Sequence, residues 1–303
     1  MGEFREASRP FPQVEGVQHR YVQAGGLRMH VAEAGQGDPL LMLHGWPQHW
    51  YEWRHQIPTL SRHYRVICPD LRGFGWTEAP PSGYEKENLA ADVVKLLDAL
   101  GLERVKLVGH DWGGWVGFLL CLHHPERFER HLALNIPPPW GRLDLQSLKG
   151  LWRFWYQGLI ATPGLGEWVL RNRPEFVAYL IRGTSPNKEI WSDDEVAAFT
   201  EPLREPDRAR ATVQLYRTFL LREFPQVARG QYNSLRLVTP TLLLFGVRDF
   251  AISTGLLRGY EPYTDDFTLE LIPDSGHFIA DEKQELVTER ALEFFAMSWA
   301  GSR

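Results

Sequence analysis

Several things are scarce or missing in this chain. Cysteine is nearly absent: of 303 residues only Cys68 and Cys121 carry a thiol, and each sits in an apolar run. That count leaves no disulfide framework, and the two thiols read as reduced structural residues. No apolar run approaches bilayer length, and the opening MGEFREASRPFPQVEG has no apolar core of signal-peptide size. A soluble, cytoplasmic protein without a membrane span is the expectation. Basic clusters are missing too. Lys+Arg 33 against Asp+Glu 38 gives a net charge of -5 with no basic run, which argues against a nucleic-acid partner. No internal repeat or low-complexity tract is evident, so the composition is that of an ordinary globular protein, a homo-oligomer not excluded.

What is plentiful is aromatic. There are 12 Trp, 10 Tyr and 16 Phe, many of them crowded between Pro137 and Tyr232. Outside that block, strands alternate with helices. Residues 17–34 alternate around Gly25-Gly26 as a hairpin, and PLLML and YRVICP are apolar strands flanking a helix-length segment from His49 to Leu60. Leu89, Val93, Leu96 and Leu100 share one helical face. HLALNI, TLLLFG and Phe267 to Ile272 continue the strands, with a helical stretch near Leu256 and a last helix from Asp281 to about Trp299. Buried strands alternating with helices predict an α/β fold with a mostly parallel central sheet covered on both faces. Residues 1–136 and 233–303 form the expected core. Residues 137–232, strand-free and broken by Pro and Gly, read as an inserted helical cap over the carboxyl ends of the strands, where open α/β sheets bind ligands.

The stretch from Arg104 to Leu120, RVKLVGHDWGGWVGFLL, joins the strand run Val105 to Val108 to an apolar helix with almost no loop. Asp111 lies at the junction among Gly109, Gly113 and Gly114, small residues that let strand and helix backbones approach closely. This is the pattern of a nucleophile elbow, with Asp where hydrolases more often carry Ser. Asp is also a preferred helix N-cap, so capping competes as a reading of this position alone. Beyond the other strand ends come His44-Gly45-Trp46-Pro47, Asp70, Asn135, Asp249 in GVRDF and His277 in DSGHF. Nucleophile, acid, His is the chain order that α/β-hydrolases use. Asp274 is a rival acid that reads better as a turn residue, and Asn135 carries no charge, which leaves Asp249.

HGWP, the RGFG of Arg72 to Gly75, GHDWGG and the late Asp and His together resemble the epoxide hydrolase branch of the α/β-hydrolase family over nearly the whole chain. Haloalkane and haloacetate dehalogenases are related and share the Asp nucleophile. The resemblance implies two cap tyrosines facing the nucleophile, matching Tyr156 in RFWYQG and Tyr216 in VQLYRTF, although Tyr84, Tyr179 and Tyr232 remain open on sequence. It further implies an oxyanion hole from the backbone N–H groups of Trp46 and Trp112. Trp46, where many members carry Phe, leaves that donor unchanged. His44, Trp155, Phe219 and Phe278 are expected at the substrate pocket.

The nucleophile itself selects the electrophile. A serine that attacked an sp³ carbon would end as an inert ether, whereas a carboxylate leaves an ester whose own carbonyl water can attack. Asp is already ionised at neutral pH, so the first step needs no base. An epoxide additionally needs donors for the alkoxide formed on ring opening, and two phenols supply them. The expected partners are a small hydrophobic epoxide and water, with no metal or organic cofactor. A dehalogenase is the alternative, weakened because Trp46 stands where haloalkane dehalogenases present Asn and Trp112 where haloacetate dehalogenases carry Arg. A catalytically silent ligand-binding hydrolase fold is a third reading.

Overall fold

The computed structural model describes residues 9–140 and 151–297. Among these, eight strands form one sheet: β1 (Gln18–Ala24), β2 (Leu27–Ala34), β3 (Pro39–Leu43), β4 (Arg65–Pro69), β5 (Val105–His110), β6 (Phe128–Leu134), β7 (Thr241–Gly246) and β8 (Phe267–Ile272). Their spatial order is β1-β2-β4-β3-β5-β6-β7-β8. β2 runs antiparallel to β1 and β4, and every other neighbouring pair is parallel.

The two faces of the sheet are sorted by the two-residue period of the strands. Leu41, Leu43 and Leu107 point to one side, into a core shared with the helices Lys86–Ala99 and Trp112–His123. Leu40, Met42, Val108 and Leu132 point to the other, against Trp50, Trp53 and the helix Gln284–Ala296. Every residue of β5 and β7 is buried, as expected of central parallel strands, while β1 and β8 at the edges are partly exposed. Each fully buried aliphatic side chain stabilises by roughly 1.5–3 kcal/mol relative to exposure. The helix Trp112–His123 is apolar nearly all round because sheet, neighbouring helix and inserted segment enclose it.

Some elements differ from expectation. The segment from His49 to Leu60 is mostly a 3-10 turn, Trp50–His55, followed by the single helical turn Ile57–Leu60, with Pro58 supplying no donor. Near Leu256 there is only the 3-10 turn Thr254–Leu256. The last helix is split at Lys283 into Ile279–Glu282 and Gln284–Ala296, and Trp299 lies outside the described residues. Between β6 and β7 the described residues hold helices and turns without a strand, including Trp155–Ala161, Leu165–Asn172, Asp193–Thr200 and Pro206–Thr218. Because β3, β4, β5, β6, β7 and β8 are parallel, their carboxyl ends share one edge, and six loops follow them there.

Candidate active site

At the end of β5 the chain turns sharply through Asp111, whose φ of 47° and ψ of -120° are unusual for a residue with a side chain. Such a conformation costs on the order of 1–3 kcal/mol and is held by its surroundings. The Asp111 N–H donates to the Leu134 carbonyl at 3.1 Å, and its own carbonyl accepts from Trp115 at 2.9 Å. Two glycines are dictated by contact. A Cβ on Gly113 would lie 2.2 Å from the Leu43 carbonyl oxygen, and one on Gly45 would lie 2.5 Å from Asp111 Cβ. Asp111 occupies the N-cap position of its helix, but its side chain makes no capping hydrogen bond there. Instead Oδ2 accepts from the Trp46 N–H at 2.9 Å, and the neighbouring Trp112 N–H also favours the charged carboxylate.

His277 stands on the other side of the carboxylate, its Nε2 3.9 Å from Asp111 Oδ1. Its Nδ1 is paired with Asp249 Oδ2 at 2.8 Å. Asp249 is fixed in turn: Oδ1 accepts from the N–H groups of Ala251 and Ile252 at 2.7 and 2.9 Å, and Oδ2 also accepts from Asn135 Nδ2 at 2.8 Å. Asn135, with a φ of 43°, thus serves the acid without replacing it. Asp274 is exposed and outside the site, and Asp70 is buried elsewhere, binding His30, Trp50 and Trp76.

The electrostatics follow from burial and these partners. Desolvation raises the Asp111 pKa, opposed by His277, His110 and the two backbone donors, which makes the carboxylate a more basic nucleophile. Burial alone would lower His277; the Asp249 carboxylate outweighs it, and the net direction is upward. Asp249 is shifted down because His277 and its hydrogen bonds overcome its own burial.

Tyr156 and Tyr216 come from the helices Trp155–Ala161 and Pro206–Thr218 and are both buried. Their rings lie 6.2 Å apart, edge to face, and both pack against Trp46, at 6.3 and 5.4 Å. The Tyr156 phenol accepts from Gln157 Nε2 at 3.3 Å. Burial pushes both phenols well above their ordinary pKa, so they stay protonated donors. The rival tyrosines are placed elsewhere: Tyr84 donates to the Pro80 carbonyl, Tyr232 to Glu87, and Tyr179 is exposed.

A cavity of ≈ 200 Å³ opens beside these groups. Asp111, Trp112, Tyr156 and His277 line it, with Phe219, Phe154, Phe224 and Leu256 among its apolar walls. Phe219 is therefore where it was expected, but three other pocket residues are not. His44 is wholly buried, its Nδ1 bound to the Gly45 carbonyl and its Nε2 accepting from the Leu71 N–H, so it braces the loop behind the site. Trp155 is 53% exposed, since turning Tyr156 inward sends its helical neighbour outward. Phe278 meets the His277 ring edge to face at 5.1 Å but stays off the cavity wall, backing onto Trp191 and His110.

One pair escaped sequence reading. His110 and Glu52 form a buried ion pair, Nδ1 to Oε1 at 2.8 Å, and His110 Nε2 donates to the His277 carbonyl at 2.8 Å. Burial opposes the charge on His110, but Glu52 raises its pKa to about 9. The second oxygen of Glu52 accepts from the Gly45 N–H at 3.0 Å, bracing the loop that carries Trp46. Position next to Asp111 marked His110; nothing in the sequence marked its distant partner. Among the described residues no cluster of His, Cys, Asp or Glu could hold a metal ion, and no helix is long and apolar enough to cross a membrane.

Known proteins resemble this chain over nearly its whole length. The chain is 31% identical over 288 residues to the soluble epoxide hydrolase of Corynebacterium sp. (strain C12), covering 92% of this chain and 98% of that protein. The ligand-free structure of the epoxide hydrolase CorEH superposes with a TM-score of 0.80 at 29% identity, over 92% of this chain and 99% of that one. The epoxide hydrolase VrEH1 from Vigna radiata does so with a TM-score of 0.78 at 29% identity, over 93% and 98%. The family model for the alpha/beta hydrolase fold matches residues 38–284, and the chain belongs to that family.

Proposed function

We propose that this chain is an epoxide hydrolase that works through an ester on Asp111, with residues 137–232 as its cap. The observation that carries the reading is a carboxylate on a hydrolase elbow, flanked by a His–Asp pair on one side and two buried, protonated phenols on the other. Because Oδ2 is engaged by backbone donors, Oδ1 is the oxygen free to attack a ring carbon. The ring C–O bond breaks and its oxygen takes a proton from a phenol, a contribution worth on the order of 10²–10⁴-fold. Attack by Oδ1 leaves the ester carbonyl on Oδ2, already between the Trp46 and Trp112 donors. Each donor is worth about 3 kcal/mol to the tetrahedral intermediate that follows.

Alkylation also switches on the base. The Asp111 charge is one of the influences that hold His277 above its ordinary pKa. Esterification removes it, and the imidazole becomes easier to deprotonate when it must take a proton from water. Water attacks Cγ, the Cγ–Oδ1 bond breaks, and Oδ1 leaves in the diol with a proton from His277. The proton of the regenerated carboxylic acid restores the phenol. The apolar walls suit a small hydrophobic epoxide. Free, buried Cys68 and Cys121 suit a reducing, cytoplasmic setting.

Replacing His277 with Gln tests the two steps together. Ring opening should survive and hydrolysis should fail, so intact mass spectrometry after incubation with styrene oxide should find the protein heavier by one substrate. An unmodified protein, under conditions where the parent makes diol, would overturn the ester mechanism.

A further inference from the structure

A buried lysine that the chemistry does not use lies behind Trp112. Lys86 opens the helix Lys86–Ala99 and is fully buried. Its Nζ donates to the Leu215 carbonyl at 2.6 Å, to Thr218 Oγ1 and the Tyr84 carbonyl at 3.3 Å each, and pairs with Glu223 Oε2 at 2.8 Å. The other oxygen of Glu223 accepts from the Lys86 backbone N–H at 2.7 Å. The ammonium also sits 4.9 Å from the Trp112 ring centroid and 5.3 Å from that of Phe219.

These partners belong to the three parts that ring opening must bring together. Trp112 supplies an oxyanion N–H and meets Tyr216 edge to face at 5.7 Å. Leu215 precedes Tyr216 in the chain, and Thr218 ends the α-helix that carries it. Phe219–Glu223 is a π-helical turn that begins directly after that helix and holds both a cavity wall and the ion-pair partner. A π turn opens the regular ladder of carbonyl acceptors, and such turns are frequent at functional sites. A bare buried ammonium is costly, so this one is retained only with its acceptors in place.

We propose that Lys86 is a positioning residue that seats Tyr216 over Asp111, clamping the end of the tyrosine's helix to Trp112 through the Leu215 carbonyl and Glu223. The proposal rests on the epoxide hydrolase reading. It assigns Lys86 chiefly to the ring-opening step, because ester hydrolysis uses His277 and the Trp112 backbone N–H, whereas the ammonium touches only the Trp112 ring. Its ammonium is itself poised: burial brings its pKa to about 8 although Glu223, and more weakly Glu85, favour the charge. The remaining titratable neighbour, Tyr84, has its phenol engaged by Pro80.

The test measures the rate of adduct formation with styrene oxide in the His277→Gln protein, where hydrolysis does not interfere. Adding Lys86→Met should slow it about 10–100-fold, the scale of an ångström-level misplacement, and Lys86→Arg should recover most of the loss. In protein that retains His277, Lys86→Met should slow ester hydrolysis far less than ring opening. Equal adduct rates with and without Lys86, or equal slowing of both steps, would overturn the proposal. Absence of any adduct in His277→Gln itself would instead overturn the reading beneath it. Should Lys86→Met fail to fold, Glu223→Gln decides. Adduct formation in the His277→Gln protein should decline as pH rises through about 8, and with Glu223→Gln added the decline should move to lower pH. A decline that stays in place belongs to another group and refutes the assignment.

Discussion

The two halves of the site are built differently. On the sheet side, Asp111, Asp249 and His277 stand on strand ends and are held by a closed set of hydrogen bonds, most of them from backbone N–H groups. On the helical side, Tyr156 and Tyr216 are held mainly by ring packing against Trp46, Trp112 and each other. The helices that carry them have no side-chain caps, and π turns interrupt the segment at Tyr179–Gly183 and Phe219–Glu223. A hydrogen-bonded frame cannot move without leaving buried polar groups unpaired, at about 1–3 kcal/mol each. Packed rings can shift by small amounts at lower cost. Damage to the sheet side should therefore abolish a step, whereas damage to the helical side should grade it.

The sharpest break would come from Asp249→Asn. An amide can still accept from Ala251 and Ile252, but it neither fixes the His277 tautomer nor stabilises an imidazolium. Ester hydrolysis should fall by on the order of 10³–10⁴-fold, with alkylated protein accumulating, as single-turnover product analysis would register. The pH profile should move as well. Hydrolysis needs neutral His277 and so rises with pH through that residue's pKa, which Asp249 holds above the ordinary 6.5. Without the carboxylate the rise should come at lower pH, and a profile that does not move would mean that Asp249 only positions the ring.

The same division explains what could be read from the sequence. Strand ends at a parallel edge are legible because buried strands are apolar runs and the loops after them are short, so Asp111, Asp249 and His277 announce themselves in order. Trp46 and Trp112 come with the motif because the donors are backbone. The tyrosines required a resemblance, since nothing in RFWYQG says which aromatic turns inward, and Trp155 and Tyr156 are adjacent with opposite fates. His110 with Glu52, and Lys86 with Glu223, were invisible because each is a contact between residues 58 and 137 positions apart. His44 and Phe278 stand beside site residues, and Phe278 even touches the His277 ring, but both are enclosed in the core and neither reaches the cavity wall.

Single Tyr156→Phe and Tyr216→Phe changes should each slow ring opening by about 10–100-fold, because the remaining phenol still reaches the alkoxide, and the double change should abolish it. Retention of activity by the double variant would remove both from the chemistry. Smallest of all should be the contrast between two cap aromatics. Phe219 walls the cavity, and its change to Ala should weaken kcat/KM for styrene oxide by about tenfold, mostly through KM, since the contact is lost equally from bound substrate and transition state. Trp155, half out in solvent, should give wild-type kinetics as Ala and a stability within about 0.5 kcal/mol of the parent. If Trp155→Ala proved as costly as Phe219→Ala, the packed half of the site would extend to the protein surface, and its tolerance of small shifts would have to be far lower than ring packing alone provides.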